Sequence, residues 1–353
     1  MLGIFLFYYA YPVTKRPTIH DVAALAGVSK SLVALVFKQD SGVSEARRDR
    51  VLAAAKQLGY TPNAWARTLR SNSGGFVGII VADFHNPIFT EVAEAARKFL
   101  AGQGVFSFVS TASVVNTADG RSLDPVPLQH LLDLKPSSLL IVGGLPNHSA
   151  FKQLSKNMPI VVALASAADL PLAVAVRSDD NQAMRLLTDH LAQLGHKNLA
   201  YVGPEGSLVA DQRRAAFDRQ VEIAGLSGVY FSTGTDNDEK AGAAAASIAL
   251  AGPDSPTAIV AYNDNIAFGV QEAVDAAGVK NTVAVTGYDN TYIAQLERIN
   301  LTSVAQEIQE IAARACELLT DPERFELARG KELLVSPSLV IRGSSVAAVT
   351  KSK

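Results

Sequence analysis

Thr18-Ile19-His20-Asp21-Val22-Ala23-Ala24-Leu25-Ala26-Gly27-Val28-Ser29, followed by Lys30-Ser31-Leu32-Val33-Ala34-Leu35-Val36-Phe37, reads as two short helices about a glycine. Thr18 supplies a side-chain acceptor for the first free amides, and Asp21 favours the positive end of the helix dipole. Val22, Leu25 and Ala26 are expected to form the packing face. Gly27 permits a tight turn, and Ser29 can cap the second helix, Lys30 to about Phe37. A third helix is expected from a Ser44 cap, with Val51, Ala54, Ala55 and Leu58 on one face and a stop at Gly59. Two helices around a tight turn, supported by a third, read as helix-turn-helix. In that arrangement the first residues of the second helix reach base edges while nearby cations hold phosphates. Lys30 and Ser31 stand in those positions.

The charge distribution agrees. Residues 13–70 carry ten basic and four acidic side chains, a balance of +6, whereas the chain from residue 71 carries 22 basic and 30 acidic, a balance of −8. A basic head on an acidic body points to a polyanion as partner of the head alone. After Gly59 comes Tyr60-Thr61-Pro62-Asn63-Ala64-Trp65-Ala66-Arg67-Thr68-Leu69-Arg70, in which a proline after a capping threonine starts a further short helix. Two turns without a neighbour are marginal alone, so binding is expected to order them. The linker Ser71-Asn72-Ser73-Gly74-Gly75 follows.

Met1 to Val13 is apolar, but a membrane-spanning helix needs about 20 such residues. A signal peptide would place its cations before the apolar run, whereas Lys15 and Arg16 follow it. The expectation is a start of translation near Val13, leaving residues 1–16 as an extension outside the fold.

The 353 residues are 48% hydrophobic and 19% charged, enough for a large buried core and unlike a disordered or fibrous chain. A single cysteine, Cys316, excludes an intramolecular disulfide framework and a cysteine-rich zinc module. From Phe76, apolar runs alternate with helical stretches: 76–83, 105–111, 138–144 and 159–164, then 198–203, 228–232, 257–262 and 282–289. Two such sets imply two α/β subdomains with parallel sheets, and a ligand cleft at the carboxyl ends of the strands. Segments 174–178, 289–303 and 321–335 are the expected crossovers between them.

No phosphate-binding loop, zinc-protease motif or nucleophile elbow occurs, and the six histidines are scattered. The reading therefore assigns no catalytic residue, no metal and no cofactor. Ligand groups are sought at strand ends: Asp83, Phe84, Asn86 and Phe89 after the first run, Arg213 after the 203–212 loop, Asn263 and Asp264 after 257–262, and Asp289. Carboxylate, amide and guanidinium groups suit a polyhydroxylated molecule, and an aromatic can cover its apolar face. Asp264 is expected to be a helix cap rather than a ligand group.

The segments TIHDVAALAGVS, VSEARRDRVLAAAKQLGYTPNAWARTLR, VGIIVADFHNPIF, DHLAQLGHKNLAYVGP, IVAYNDNIAFGV, VAVTGYDN and LTSVAQE, in that order, resemble the LacI/GalR family of bacterial transcription regulators from about Pro17 to Arg342. The resemblance implies a homodimer whose heads read a pseudo-palindromic operator, with hinge helices in the central minor groove. Leu69 matches the wedge that opens a base step, and Ala66 the small residue where two hinge helices meet. It implies a periplasmic-binding-protein-like body whose lobes rotate when a sugar, polyol or similar effector binds, with Arg213, Asn263 and Asp289 as its strongest contacts. The recognition helix departs from the pattern: Leu35 stands where most members have arginine, which exchanges hydrogen bonds for contact with a thymine methyl.

The resulting assignment is an α/β chain with a helix-turn-helix DNA-binding head at 17–60 and a hinge at 61–75. A two-lobed body spans 76–343, lobe 1 at about 76–176 and 304–330, lobe 2 at about 177–303 and 331–343, with a tail at 344–353. DNA contacts fall to Thr18, Ser29, Lys30, Ser31, Leu35, Asn63, Ala66, Arg67 and Leu69; effector contacts fall to Asp83, Phe84, Phe89, Arg213, Asn263 and Asp289. The expected protein is a cytoplasmic regulator, a repressor by resemblance, dimeric, without a membrane partner. The alternative, a solute-binding sensor with a degenerate head, predicts a signal peptide and a broken capping pattern, and the sequence has neither.

Overall fold

A computed structural model describes residues 17–37, 42–61, 75–112, 114–117, 120–145 and 148–345. Residues 1–16, most of the hinge with Asn63, Trp65, Ala66, Arg67 and Leu69, and the tail beyond Ser345 lie outside them. The chain divides into two compact units between residues 73 and 74.

The first unit holds α1 (Ile19–Ala26), α2 (Lys30–Phe37) and α3 (Glu45–Leu58). The Thr18 hydroxyl accepts from the Asp21 amide while the Asp21 carboxylate accepts from the Thr18 amide at 2.7 Å, a reciprocal capping box. Gly27 takes a left-handed conformation, φ 61°, and α1 and α2 meet at 104°. The Ser29 hydroxyl accepts from the Leu32 amide at 3.2 Å, which starts α2. Val22, Ala23, Ala26, Val33, Val36, Val51, Ala54 and Ala55 close the small core, and Phe37 packs on Tyr60 at 5.8 Å. Leu25 does not join it: the inward positions of α1 are 19, 22, 23 and 26, and Leu25 is 46% exposed. Ser44 occupies the cap position of α3 without a side-chain cap bond.

The second unit has two six-stranded sheets. The first is built from β1 (Val77–Val81), β2 (Ser107–Thr111), β5 (Ser138–Val142), β6 (Ile160–Ala163), β7 (Val174–Ser178) and β13 (Glu332–Val335), in the order β13-β7-β6-β5-β1-β2, all parallel. The second is built from β8 (Asn198–Gly203), β9 (Ser227–Ser232), β10 (Ala258–Ala261), β11 (Ala284–Asp289), β12 (Thr302–Ala305) and β14 (Ser338–Val340), in the order β14-β12-β11-β10-β8-β9. Only β14 in it runs antiparallel. A separate hairpin joins β3 (Val114–Thr117) and β4 (Gly120–Leu123). Helices α4 (Pro87–Gly102) and α11 (Ile308–Thr320) pack on the first sheet. On the second pack α7 (Asp180–Gln193), α8 (Leu208–Ile223), α9 (Glu239–Ala251) and α10 (Asp264–Ala276). Shorter helices are α5 (Pro125–Asp133), α6 (Ser149–Lys152) and α12 (Pro322–Ala328). The strands of β1, β5, β6 and β10 are buried throughout, as parallel strands covered on both faces must be. No single helix among the described residues is long and apolar enough to cross a membrane.

The crossovers fall later than the sequence suggests. Residues 174–178 form β7, 289–303 hold the end of β11 and the start of β12, and 321–335 form α12 and β13, so β13 belongs to lobe 1 and residues 304–305 to lobe 2. The chain passes between lobes only where a strand has ended: after Ser178, at Gln306–Glu307, and at 336–337. These segments are tied together, since Ser178 Oγ donates to the Gln306 carbonyl at 3.3 Å and the Asp179 amide to the Val335 carbonyl at 3.1 Å.

Helices α9 and α10 approach so closely that a methyl at Gly269 would run into the Glu239 carbonyl, and one at Gly242 into that of Ile266. Gly269→Ala is expected to destabilise the body by roughly 1–3 kcal/mol through overpacking. A thermal melt with an unchanged midpoint would contradict that close approach.

Candidate functional site

On the head, Lys30, Ser31 and Leu35 are all exposed along α2, with Leu35 38% accessible although apolar. Thr18 and Ser29 are committed to capping, so each presents backbone amides and a fixed helix start rather than a free hydroxyl. This face offers one cation, one hydroxyl and one apolar contact from the start of a helix set across its neighbour.

In the body, each lobe has its topological switch where the chain turns from an outer strand to the opposite side of the starting strand, between β1 and β5 and between β8 and β10. Open parallel sheets place ligands at such points, outside the carboxyl ends of the strands. Arg213, Asn263 and Asp289 come together there in lobe 2, and all three are buried. The Arg213 guanidinium donates to Asp180 Oδ1 at 3.2 Å and to the Tyr262 carbonyl at 2.7 Å. It lies 3.6 Å over the Tyr288 ring and 4.6 Å from that of Tyr262. Asp180 is in turn held by the Tyr288 hydroxyl at 2.8 Å and by Arg177 at 3.0 Å, so the buried charges are paired. Each partner of Arg213 lies in lobe 2 or at its entry, which makes it a wall of that lobe rather than an interlobe salt bridge.

Asn263, not Asp264, caps α10: its Oδ1 accepts from the Ile266 amide at 2.9 Å. Its Nδ2 is buried and has no hydrogen-bond partner among the described residues. A buried donor without an acceptor costs free energy, and a ligand oxygen would recover it. Asp289 accepts from Gln306 Nε2 at 2.6 Å, and the Asn86 side chain of the opposite lobe favours its charged form. Asn86 serves twice, as its Oδ1 also caps α4, where Pro87 occupies the first turn.

The other three expected groups stand apart from this cluster. Asp83 turns back on its own loop, accepting from the His85 amide at 2.8 Å and meeting the His85 ring at 3.0 Å. Phe84 is 52% exposed on the same loop. Phe89 packs on the lobe 1 core and fills the space that the missing side chain of Gly143 leaves. The crevice between the lobes is lined by Leu164, Arg177, Ser178, Asp180, Val209, Gln212, Arg213 and Gln306, and a cavity of about 240 Å³ lies beside it against Arg177, Gln212, Arg219 and Leu334. Gln306, Gln212 and Asp180 escaped the sequence reading. Gln306 stands in the LTSVAQE segment, which carried the available signal, whereas Asp180 was hidden because the strand before it went unread.

Two family models match the chain: bacterial regulatory proteins of the lacI family at residues 18–63, and a periplasmic binding protein-like domain at residues 188–345. The HTH-type transcriptional regulator DegA of Bacillus subtilis is 26% identical over 344 residues, covering 94% of this chain and 98% of its own. The HTH-type transcriptional repressor PurR of Photobacterium profundum is 28% identical, covering 93% of this chain and 98% of its own. Among solved structures, the lac repressor dimer bound to operator and the anti-inducer ONPF aligns with a TM-score of 0.78 at 25% identity, over 94% of this chain and 100% of that one.

Burial pushes the Asp289 carboxyl up to about 7, the Arg213 charge opposing the shift and the Asp264 carboxylate adding to it. A folded value above the unfolded one gives stability that is complete below about pH 4 and lost as the pH rises through about 7. Asp289→Asn keeps an acceptor for Gln306 and removes the charge. The variant should melt a few degrees above the parent at about pH 8 and together with it at about pH 4; a difference independent of pH would show that the carboxyl is not perturbed by burial.

Proposed function

The chain belongs to the lacI family of bacterial regulatory proteins, and from that membership we propose how its residues divide the work of a regulator. It is a DNA-binding transcriptional repressor that acts as a homodimer on an operator and is controlled by a small-molecule effector. Its function is regulation rather than catalysis, and a protein that works on chromosomal operators acts in the cytoplasm.

In the head, α2 enters the major groove. Ser31 and Leu35 face base edges and Lys30 a phosphate, while the capped starts of α1 and α2, at Thr18 and Ser29, direct backbone amides at the sugar-phosphate chain. Leu35 selects a thymine methyl where an arginine would select guanine. Asn63, Ala66, Arg67 and Leu69 form the minor-groove element, with Leu69 as the wedge that bends the operator centre.

In the body, the effector is a small polar molecule with several hydroxyl or amide groups. The unpartnered Asn263 Nδ2 beside Arg213 and Asp289 carries this reading, because it is a buried donor waiting for an acceptor. Gln306 and Asn86 complete the polar lining, and on lobe 1 the exposed Phe84 and the neighbouring Asp83 form an outer rim, with Phe89 supporting it from the core. A ligand that bridges the lobes rotates them about the three crossovers and alters the separation of the two heads.

Selection of bound duplexes from a random DNA pool, without added metabolite and then with cell extract, should enrich a pseudo-palindrome carrying thymine at the Leu35 position and a deformable central step. No enrichment in either condition would overturn the reading. Once an operator is available for an effector screen, Asn263→Ser should weaken the effector response about tenfold or more and leave operator affinity unchanged, since serine keeps the cap and deletes the free donor. A normal response would remove Asn263 from the site.

A further inference from the structure

One hydrogen bond and one electrostatic contact join the lobes across the cleft, and both come from the end of β11 and the turn that follows it. Asp289 meets the Asn86 side chain, and the Tyr292 amide donates to Glu91 Oε1 at 3.2 Å. Asn86 and Glu91 are the cap and the second turn of α4. The turn that makes these contacts is strained: Asp289 has φ 115° and Asn290 φ 52°, in the region that side chains other than glycine avoid. Strain of this kind persists only where the surroundings impose it.

The surroundings here converge on one carboxylate. Asp264 accepts from the Thr291 amide at 2.7 Å and the Thr291 hydroxyl at 2.9 Å through Oδ2, and from Ser303 Oγ at 2.6 Å through Oδ1. The Ser303 oxygen in turn accepts from the Asn290 amide at 3.0 Å. Arg342 closes the far side, donating to Asn290 Oδ1 and to the Leu301 carbonyl, each at 2.6 Å. Gly287 leaves the room that the carboxylate occupies, since a methyl there would collide with Asp264 Oδ1. Asp264 is itself buried, and both of its carboxylate oxygens are taken by donors of the protein.

We propose that Asp264 is a positioning residue, an anchor that holds the 289–292 turn in the one conformation from which lobe 2 can grip the first turns of α4. Without ever touching the effector, it sets how readily the lobes close. The chain enters α4 from β1, the first strand after the linker to the head, so the anchor acts on an element near the start of the body. The consequence for the effector response rests on the reading of the cleft given above, whereas the anchor and its effect on closure do not.

The test needs neither operator nor effector. Spin labels at Lys152→Cys in lobe 1 and Glu222→Cys in lobe 2 of the full chain, with the labelled chain diluted into a large excess of unlabelled chain so that each dimer carries one labelled copy, report the interlobe distance by pulsed dipolar spectroscopy, and the buried Cys316 leaves a clean background. The parent should give one narrow distribution. Asp264→Asn should shift the closed-to-open ratio about tenfold towards open, and Thr291→Val, which removes one of the bonds without changing charge, should shift it in the same direction by less. Asp289→Asn should open the lobes too, and adding Asp264→Asn to it should have little further effect, because the two act through one turn. A general loss of lobe 2 stability would instead add to the Asp289 effect. An unchanged distribution in folded Asp264→Asn and Thr291→Val, or full additivity with Asp289→Asn, would overturn the proposal. Should Asp264→Asn fail to fold, Thr291→Val alone and paired with Asp289→Asn decides by the same criterion.

Discussion

Three strands of chain pass side by side between two lobes, and hydrogen bonds from Ser178 to Gln306 and from Asp179 to Val335 bind them into one hinge. A single connection would leave the lobes free to twist and slide. Three tied connections leave one easy motion, opening and closing about the line they share. The rest of the body answers to that constraint. Polar groups at the strand ends face each other because the hinge fixes which ends oppose, and Asp289, bonded to Gln306 at one crossover, stands where that hinge meets the cleft.

The charges at the base of the cleft are arranged so that none is left alone. Arg213 is enclosed by Asp180, the Tyr262 carbonyl and two tyrosine rings, and Asp180 is shared with Arg177 and Tyr288. A guanidinium buried this way is a rigid, prepaid donor surface, whereas an exposed one would have to be ordered by the ligand. Asp289 is the uneasy member, with an environment that favours its neutral form. It is also the group that reaches across to the other lobe, so the least settled charge in the site stands where the lobes meet.

How much of this could be read in advance depended on how each signal is encoded. The head was legible because caps and turns are local: Thr18, Asp21, Gly27 and Ser29 each act within a few residues of themselves. Leu25 stays outside the core because Leu25 and Ala23 both stand within the spread of a helical face, and packing inside the head takes the smaller one. The apolar runs of β1, β5, β8 and β10 announced themselves, but β13 and β14 are edge strands of four and three residues bearing charged or exposed side chains, and no run marks them. Asn263 and Asp264 are adjacent and equally good caps in isolation. Their assignment is decided by Thr291 and Ser303, 27 and 39 residues away, which local pattern cannot register.

Asn263 and Asn86 each commit one oxygen to the start of a helix, while the buried Asn263 amide nitrogen has no partner among the described residues and the Asn86 side chain favours the Asp289 carboxylate. Such double duty narrows the routes by which evolution can fit the cleft to a different metabolite. Replacing either asparagine by a residue that cannot cap unsettles a helix as well as altering recognition, so descendants that acquire new effectors should change first at Leu164, Val209 and Gln212. Those side chains line the crevice and cap nothing, and at these positions a lineage can diversify what it senses while the apparatus that transmits the signal is inherited intact.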